Sequence, residues 1–126
     1  KLPTKRQIMP NNELGTLTHL MREFADSRDW NQFHSPKNLA MALSVEVAEI
    51  MEHFQWLTEE QSASVTPNEK VNIAHELADT LLYLVRLSDV LGIDLYEAAV
   101  EKMKVNNEKY PVEKSRGNAK KYTEFA

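Results

Sequence analysis

An all-α fold, arranged like a four-helix bundle, is what this sequence predicts, and three observations predict it. Apolar residues recur at helical spacing along most of the chain. Capping signals punctuate those stretches. Residues that build turn-rich β-architectures are scarce, with three glycines and five prolines in 126 residues.

The first helix covers about 13–28, where Leu14, Leu17, Leu20, Met21, Phe24 and Ala25 share one face. Arg28–His34 reads as a loop carrying Trp30 and Phe33. Ser35-Pro36 opens a second helix, with Ser as N-cap and Pro at the first helical position, running to about Leu57. Thr58-Glu59-Glu60-Gln61 has the form of a capping box and starts a short connector. Thr66-Pro67-Asn68-Glu69 repeats the signal and starts a third helix, which runs to Leu91 and is stopped by Gly92. Asp94-Leu95-Tyr96-Glu97 opens a fourth, closed by Tyr110-Pro111. On this reading residues 1–12 are a flexible N-terminal segment, 13–111 the helical domain, and 112–126 a basic tail that needs a surface to dock on. The third helix is apolar on more than one stripe, through Leu77, Ala78, Leu81, Leu82, Leu84, Val85 and Leu87. Such a helix is central or lies at a subunit interface, so an oligomer is expected.

Cysteine is absent, which removes disulfides and thiolate metal sites. No apolar run approaches the roughly 20 residues of a membrane span. Lys1–Asn12 has no secretory leader pattern, and the missing initiator Met reads as a trimmed chain, so the expected address is cytoplasmic. The formal net charge of −4 argues against a general nucleic-acid binder. Its distribution is uneven: between Lys102 and Lys121 seven Lys or Arg face only Glu108 and Glu113. That segment suits a polyanionic ligand, and equally a solvated helix end and tail.

Two helices place carboxylates where apolar residues belong. Glu46 and Glu49 are three apart and share a face with Ala42, Leu43, Ile50 and His53. Glu76 and Asp79 repeat the spacing among Ile73, Leu77, Thr80 and Tyr83. A lone Glu-x-x-Glu is usually solvated surface; a second pair inside the most apolar stretch is not so easily explained. Buried anions this numerous need protons or cations. Oxygen ligands without Cys, and without His at the paired positions, favour Mg²⁺ or Mn²⁺ over Zn²⁺. A ferritin-like di-iron centre would need Glu-x-x-His pairs, and His53 and His75 lack that spacing. Trp30, Trp56 and Tyr83 read either as pocket walls or as core aromatics.

These residues resemble the all-α nucleoside triphosphate pyrophosphohydrolases, the MazG-like group, through Glu46-x-x-Glu49 followed by Glu76-x-x-Asp79. Arg28-Asp-Trp-Asn-Gln-Phe-His34, Phe54-Gln-Trp56, Asp79-x-x-Leu-Tyr83 and Lys120-Lys-Tyr-Thr-Glu124 are similar to the dCTP pyrophosphatase branch. The resemblance runs from about Leu17 to Phe125. It implies a Mg²⁺-dependent enzyme, with Mn²⁺ as substitute, that cuts the α–β bond of a nucleoside triphosphate for nucleotide-pool cleansing. Glu46, Glu49, Glu76 and Asp79 would hold the metal, with Glu49 or Glu46 accepting the proton of the attacking water. Trp30 and Trp56 would line or stack on the base, with Tyr83 and His34 nearby. Lys102, Asn106 and Tyr110 would contact sugar or phosphates, and Lys120, Lys121 and Tyr122 would close the pocket. Where relatives carry a histidine in the first helix, this chain has Met21; His19 is two residues off. The resemblance also implies a homo-oligomer, dimer or tetramer, with no nucleic-acid or membrane partner. The alternative is a nucleotide-binding regulatory protein that has lost catalysis, although all four carboxylates are present.

Overall fold

The computed structural model describes residues 12–125, and every described element is helical. The expected flexible segment 1–12 lies outside the described residues, apart from Asn12. The helices are α1 (Glu13–Ser27), α2 (Pro36–Glu52), α3 (Glu59–Ser62), α4 (Pro67–Val90), α5 (Leu95–Lys109) and α6 (Val112–Ser115). Two 3-10 turns, Trp30–Gln32 and Tyr122–Glu124, complete them.

The helix starts follow from local chemistry. Ser35 Oγ accepts the Asn38 backbone N–H at 3.1 Å, satisfying one of the free donors that every helix start exposes. Thr58 and Gln61 exchange side-chain-to-backbone bonds in a full capping box, as do Thr66 and Glu69. At the end of α4, Gly92 takes φ +69°, which brings the Ile93 N–H to Ser88 O at 2.8 Å and its own N–H to Asp89 O at 3.0 Å. This is a Schellman stop, and it depends on the left-handed backbone that glycine adopts without a side-chain clash.

One expectation is corrected by the structure. Helix α2 ends at Glu52, five residues before Leu57. His53, Phe54 and Trp56 are mediocre helix formers, and Thr58 must be extended (ψ 164°) to cap α3, so the chain leaves the helix early through turns. Within the expected tail, residues 112–125 contain α6 and the Tyr122–Glu124 turn.

The chain divides into two compact units, one ending at Ile93 and one beginning at Asp94. In the first, α4 packs along α2 and also contacts α1. Its buried apolar side chains are Ala25 on α1, Leu39 on α2 and Val85 on α4. The half-buried face of α2 is Ala42, Leu43, Glu46, Glu49, Ile50 and His53, the stripe its periodicity predicts. Met41, Val45, Val47 and Met51 face outward. Along α4, Leu77 is 53% exposed, and Val71, Leu81 and Leu84 are also exposed. In the second unit, Tyr110 sets its ring edge-on to Tyr122 and to Phe125, with centroids 6.1 and 5.9 Å apart, and Lys109 lies over the Tyr122 ring. These contacts fold the segment after α5 back onto its end. Among the described residues no helix is long and apolar enough to cross a membrane.

Candidate active site

Because α2 and α4 pack side by side, their inward carboxylates meet. One oxygen each of Glu46, Glu49 and Glu76 lie within 4.8 Å of one another. The crowding shows in their proton affinities. Burial, followed by the hydrogen bond and negative charge of Glu49 and the charges of Asp79 and Glu76, pushes Glu46 up from its ordinary 4.5 to about 7. Glu76 is raised as well, first by its hydrogen bond with Glu49, then by burial and by the charges of Glu49 and Asp79. Glu46 Oε2 and Glu76 Oε2 are buried and have no hydrogen-bond partner. Unpartnered buried acceptors are costly, and three converging carboxylates without a nearby cation are worse. An all-oxygen donor set of this kind fits a hard divalent cation. Asp79, the fourth predicted ligand, is outside this close group; it is exposed and borders the neighbouring cavity.

That cavity has a volume of about 250 Å³ and is lined by Met21, Phe24, Trp30, His34, Asp79, Leu82 and Tyr83. Trp30 is aimed by an unusual turn. Asp29 before it adopts φ +56°, a left-handed conformation that Asp tolerates better than most residues. Gln32 Nε2 steadies the turn by donating to the Asp29 carbonyl and carboxylate. The Trp30 ring stands edge-on to Phe24 at 5.4 Å and to His34 at 6.1 Å. Aromatic walls, a carboxylate at the edge and few other polar groups suit a planar heterocycle. Met21 forms part of the wall, while His19 is exposed and pairs with Glu23 instead.

The structure therefore brings Trp30, His34, Tyr83 and Asp79 together beside Glu46, Glu49 and Glu76. It does not add Trp56, which sits on the turn after α2 and is 86% exposed. Lys102, Asn106, Tyr110, Lys120, Lys121 and Tyr122 belong to the second unit. There Lys102 is exposed on α5 and Asn106 is half-buried. Lys120 borders a small open cleft with Lys114, Glu124 and Phe125, and the Lys121 N–H donates to Glu124.

Sequence reasoning missed the polar network behind the cavity. Arg86 on α4 is only 7% exposed. It donates through Nε to His34 Nδ1 at 3.1 Å, and through its terminal nitrogens to Asn31 Oδ1 and, at 3.5 Å, to Asp89 Oδ2. Asp89 also accepts from Nε and one terminal nitrogen of Arg22 on α1, which hold its carboxyl below the usual range against the opposing effect of burial. Asn31 donates to Asp26. The available signal was one arginine inside the apolar run Leu81–Leu91, with Asp89 one turn later.

Comparison with known proteins agrees with this arrangement. Residues 41–125, which carry all four carboxylates, match the profile of the MazG-like family. The chain is 44% identical to dCTP pyrophosphatase 1 of Mus musculus over 121 residues, covering 94% of this chain and 71% of that protein. It is 40% identical to dCTP pyrophosphatase 1 of Homo sapiens over 125 residues, covering 98% and 74%. Among solved structures, a pyrophosphatase from Archaeoglobus fulgidus superposes with a TM-score of 0.75 at 41% identity, covering 82% of this chain and 97% of that one. With its paired carboxylates facing each other across α2 and α4, the chain belongs to the MazG-like family, on the dCTP pyrophosphatase branch.

Proposed function

We propose that this enzyme, a nucleoside triphosphate pyrophosphohydrolase of the nucleotide-pool-cleansing kind, acts on dCTP and related or modified deoxynucleotides, cutting between the α- and β-phosphates. The observation that carries the reading is the convergence of Glu46, Glu49 and Glu76 within 4.8 Å beside an aromatic cavity. Their oxygens, with Asp79 joining from the cavity edge, are proposed to hold Mg²⁺, for which Mn²⁺ can substitute. When bound, such an ion neutralises phosphate charge and lowers the pKa of water. Glu49, whose carboxylate converges with those of Glu46 and Glu76, is the proposed acceptor of the water proton, with Glu46 second. In the step itself, a water oxygen bonds to the α-phosphorus, the bond to the bridging oxygen breaks, and pyrophosphate leaves. Trp30 would stack on the base, as an aromatic face does for any base, with Tyr83 and Met21 completing the wall.

Lys102, Asn106, Tyr110, Lys120, Lys121 and Tyr122 are proposed as sugar and phosphate contacts on charge and resemblance, and Trp56 as a further base contact on resemblance. The expected setting is the cytoplasm, with a free nucleotide rather than a nucleic acid as ligand. A homo-oligomer, dimer or tetramer, is proposed from the outward apolar residues of α4, which a second copy would cover. Sedimentation equilibrium should give a mass that is a multiple of the chain's; a stable monomer at micromolar concentration would contradict it.

The reaction is tested by turnover of a (d)NTP panel with Mg²⁺, with and without EDTA, resolving pyrophosphate from orthophosphate. The expected result is metal-dependent pyrophosphate and monophosphate, fastest with a deoxycytidine triphosphate. Release of orthophosphate would place the cut at another bond, and a preference for purines would overturn the base assignment.

A further inference from the structure

The aromatic cavity has few polar groups on its walls, and one of them has its proton placed by a residue behind it. A neutral imidazole can carry its hydrogen on either nitrogen, and the two forms offer a ligand opposite things, a donor or an acceptor. At His34 the choice is made by Arg86. A guanidinium only donates, so the 3.1 Å bond from Arg86 Nε to Nδ1 requires a lone pair there. The hydrogen must then sit on Nε2, the nitrogen left to meet a ligand in the cavity that His34 lines.

Arg86 has little freedom to turn away. Its other donors hold Asn31 and Asp89; Asn31 is tied to Asp26, and Asp89 to Arg22. Contacts from α1 and from the turn around Trp30 thus fix one fork, which is buried on α4. Protonating His34 would set a second N–H against the fork, and both burial and the Arg86 charge hold its pKa down.

We infer that Arg86 is a positioning residue that fixes His34 as an Nε2–H donor, so that the cavity takes a base through an acceptor edge such as a carbonyl oxygen or an unprotonated ring nitrogen. The inference rests on reading the cavity as the base site, and it deepens that reading by naming the selecting contact. A bond to a buried acceptor discriminates through loss, because a ligand without the acceptor strands the donor.

The test begins with metal-free, nucleotide-free protein labelled with ¹⁵N-histidine, using long-range ¹H–¹⁵N correlation at neutral pH. The His34 signals are identified by their loss in His34→Gln. A protonated Nε2 with an unprotonated Nδ1 is expected, collapsing to tautomer-averaged shifts in Arg86→Leu. An Nδ1–H form or a cation in the unmutated protein would overturn the proposal, and this result does not depend on turnover. For the contact itself, His34→Phe should raise KM for the preferred triphosphate by about 10- to 100-fold with kcat nearly kept. His34→Gln, whose amide retains an N–H donor, should recover most of that. Equal losses in the two variants would overturn the donor role even if Arg86→Leu failed to fold. Absence of turnover in the unmutated enzyme would instead indict the proposed reaction and leave the tautomer result standing.

Discussion

Glu49→Ala and Glu76→Ala proteins should release pyrophosphate on the order of 10³-fold more slowly than the unmutated enzyme, with their helical circular-dichroism signal unchanged. Each change removes one of three oxygens that converge between α2 and α4, and leaves the helices and their caps untouched. The measurement is a single-substrate rate at saturating Mg²⁺, paired with a melting curve. Stability sharpens the test because its sign is opposite. In the metal-free protein these carboxylates repel one another, so a neutral Gln at position 46 should raise the melting temperature near neutral pH while abolishing stabilisation by added metal. A residue needed only for structure would lower both activity and stability. Full activity in either alanine variant would remove these carboxylates from the reaction.

The second large effect is a linkage between pH and metal. Glu46 titrates near 7 in the folded metal-free chain and near 4.5 when unfolded, so between those values the folded state holds more protons. Stability from this site is therefore fully present below about 4.5 and is lost as pH rises through about 7. His34 works the other way: its pKa is lowered by burial and by Arg86, so its cost appears as pH falls below its ordinary 6.5. Comparing the unmutated protein with Glu46→Gln cancels that contribution. In EDTA, the unmutated protein should lose on the order of 1 kcal/mol relative to Glu46→Gln between pH 4.5 and 8, or about 4 °C, once solvent screening is allowed for. Saturating Mg²⁺ should reverse the difference, and increasingly so at higher pH, because the ion binds the ionised form. A difference that stayed flat with pH in EDTA would show that the carboxylates do not confront one another as described.

What the sequence revealed and what it concealed divide along physical lines. Ser35, Thr58, Thr66 and Asp94 announced helix starts because a cap is a bond across three residues, written wholly in the local chain. The inward faces of α2 and α4 were legible because a helix repeats every 3.6 residues, which aligned Glu46 with Glu49 and Glu76 with Thr80 and Tyr83. The exposed Leu77 and Leu81 were not, since periodicity reports that a stripe is apolar but not whether anything covers it. Helix α2 was overrun by five residues because no glycine or proline marks its end. Arg86 and His34 are 52 positions apart, and no local pattern encodes their bond. The left-handed Asp29 turn that directs Trp30 into the cavity is likewise a tertiary outcome.

The thin interior of the first unit has a consequence for how the protein must be handled. Folding free energy is a small difference between large opposing terms, so a modest contribution from binding changes it appreciably. Ala25, Leu39 and Val85 are the fully buried apolar side chains among the described residues, while Leu77, Leu81, Leu84 and Met51 leave apolar surface open to solvent that a bound partner or ligand could cover. Whatever binds the folded chain and ignores the unfolded one, whether ion, nucleotide or second copy, then supplies a share of the folding free energy by mass action. Its melting point is a function of what else is in the tube. Values taken in chelator, or at high dilution, describe a different equilibrium from the one in a solution rich in metal and triphosphate.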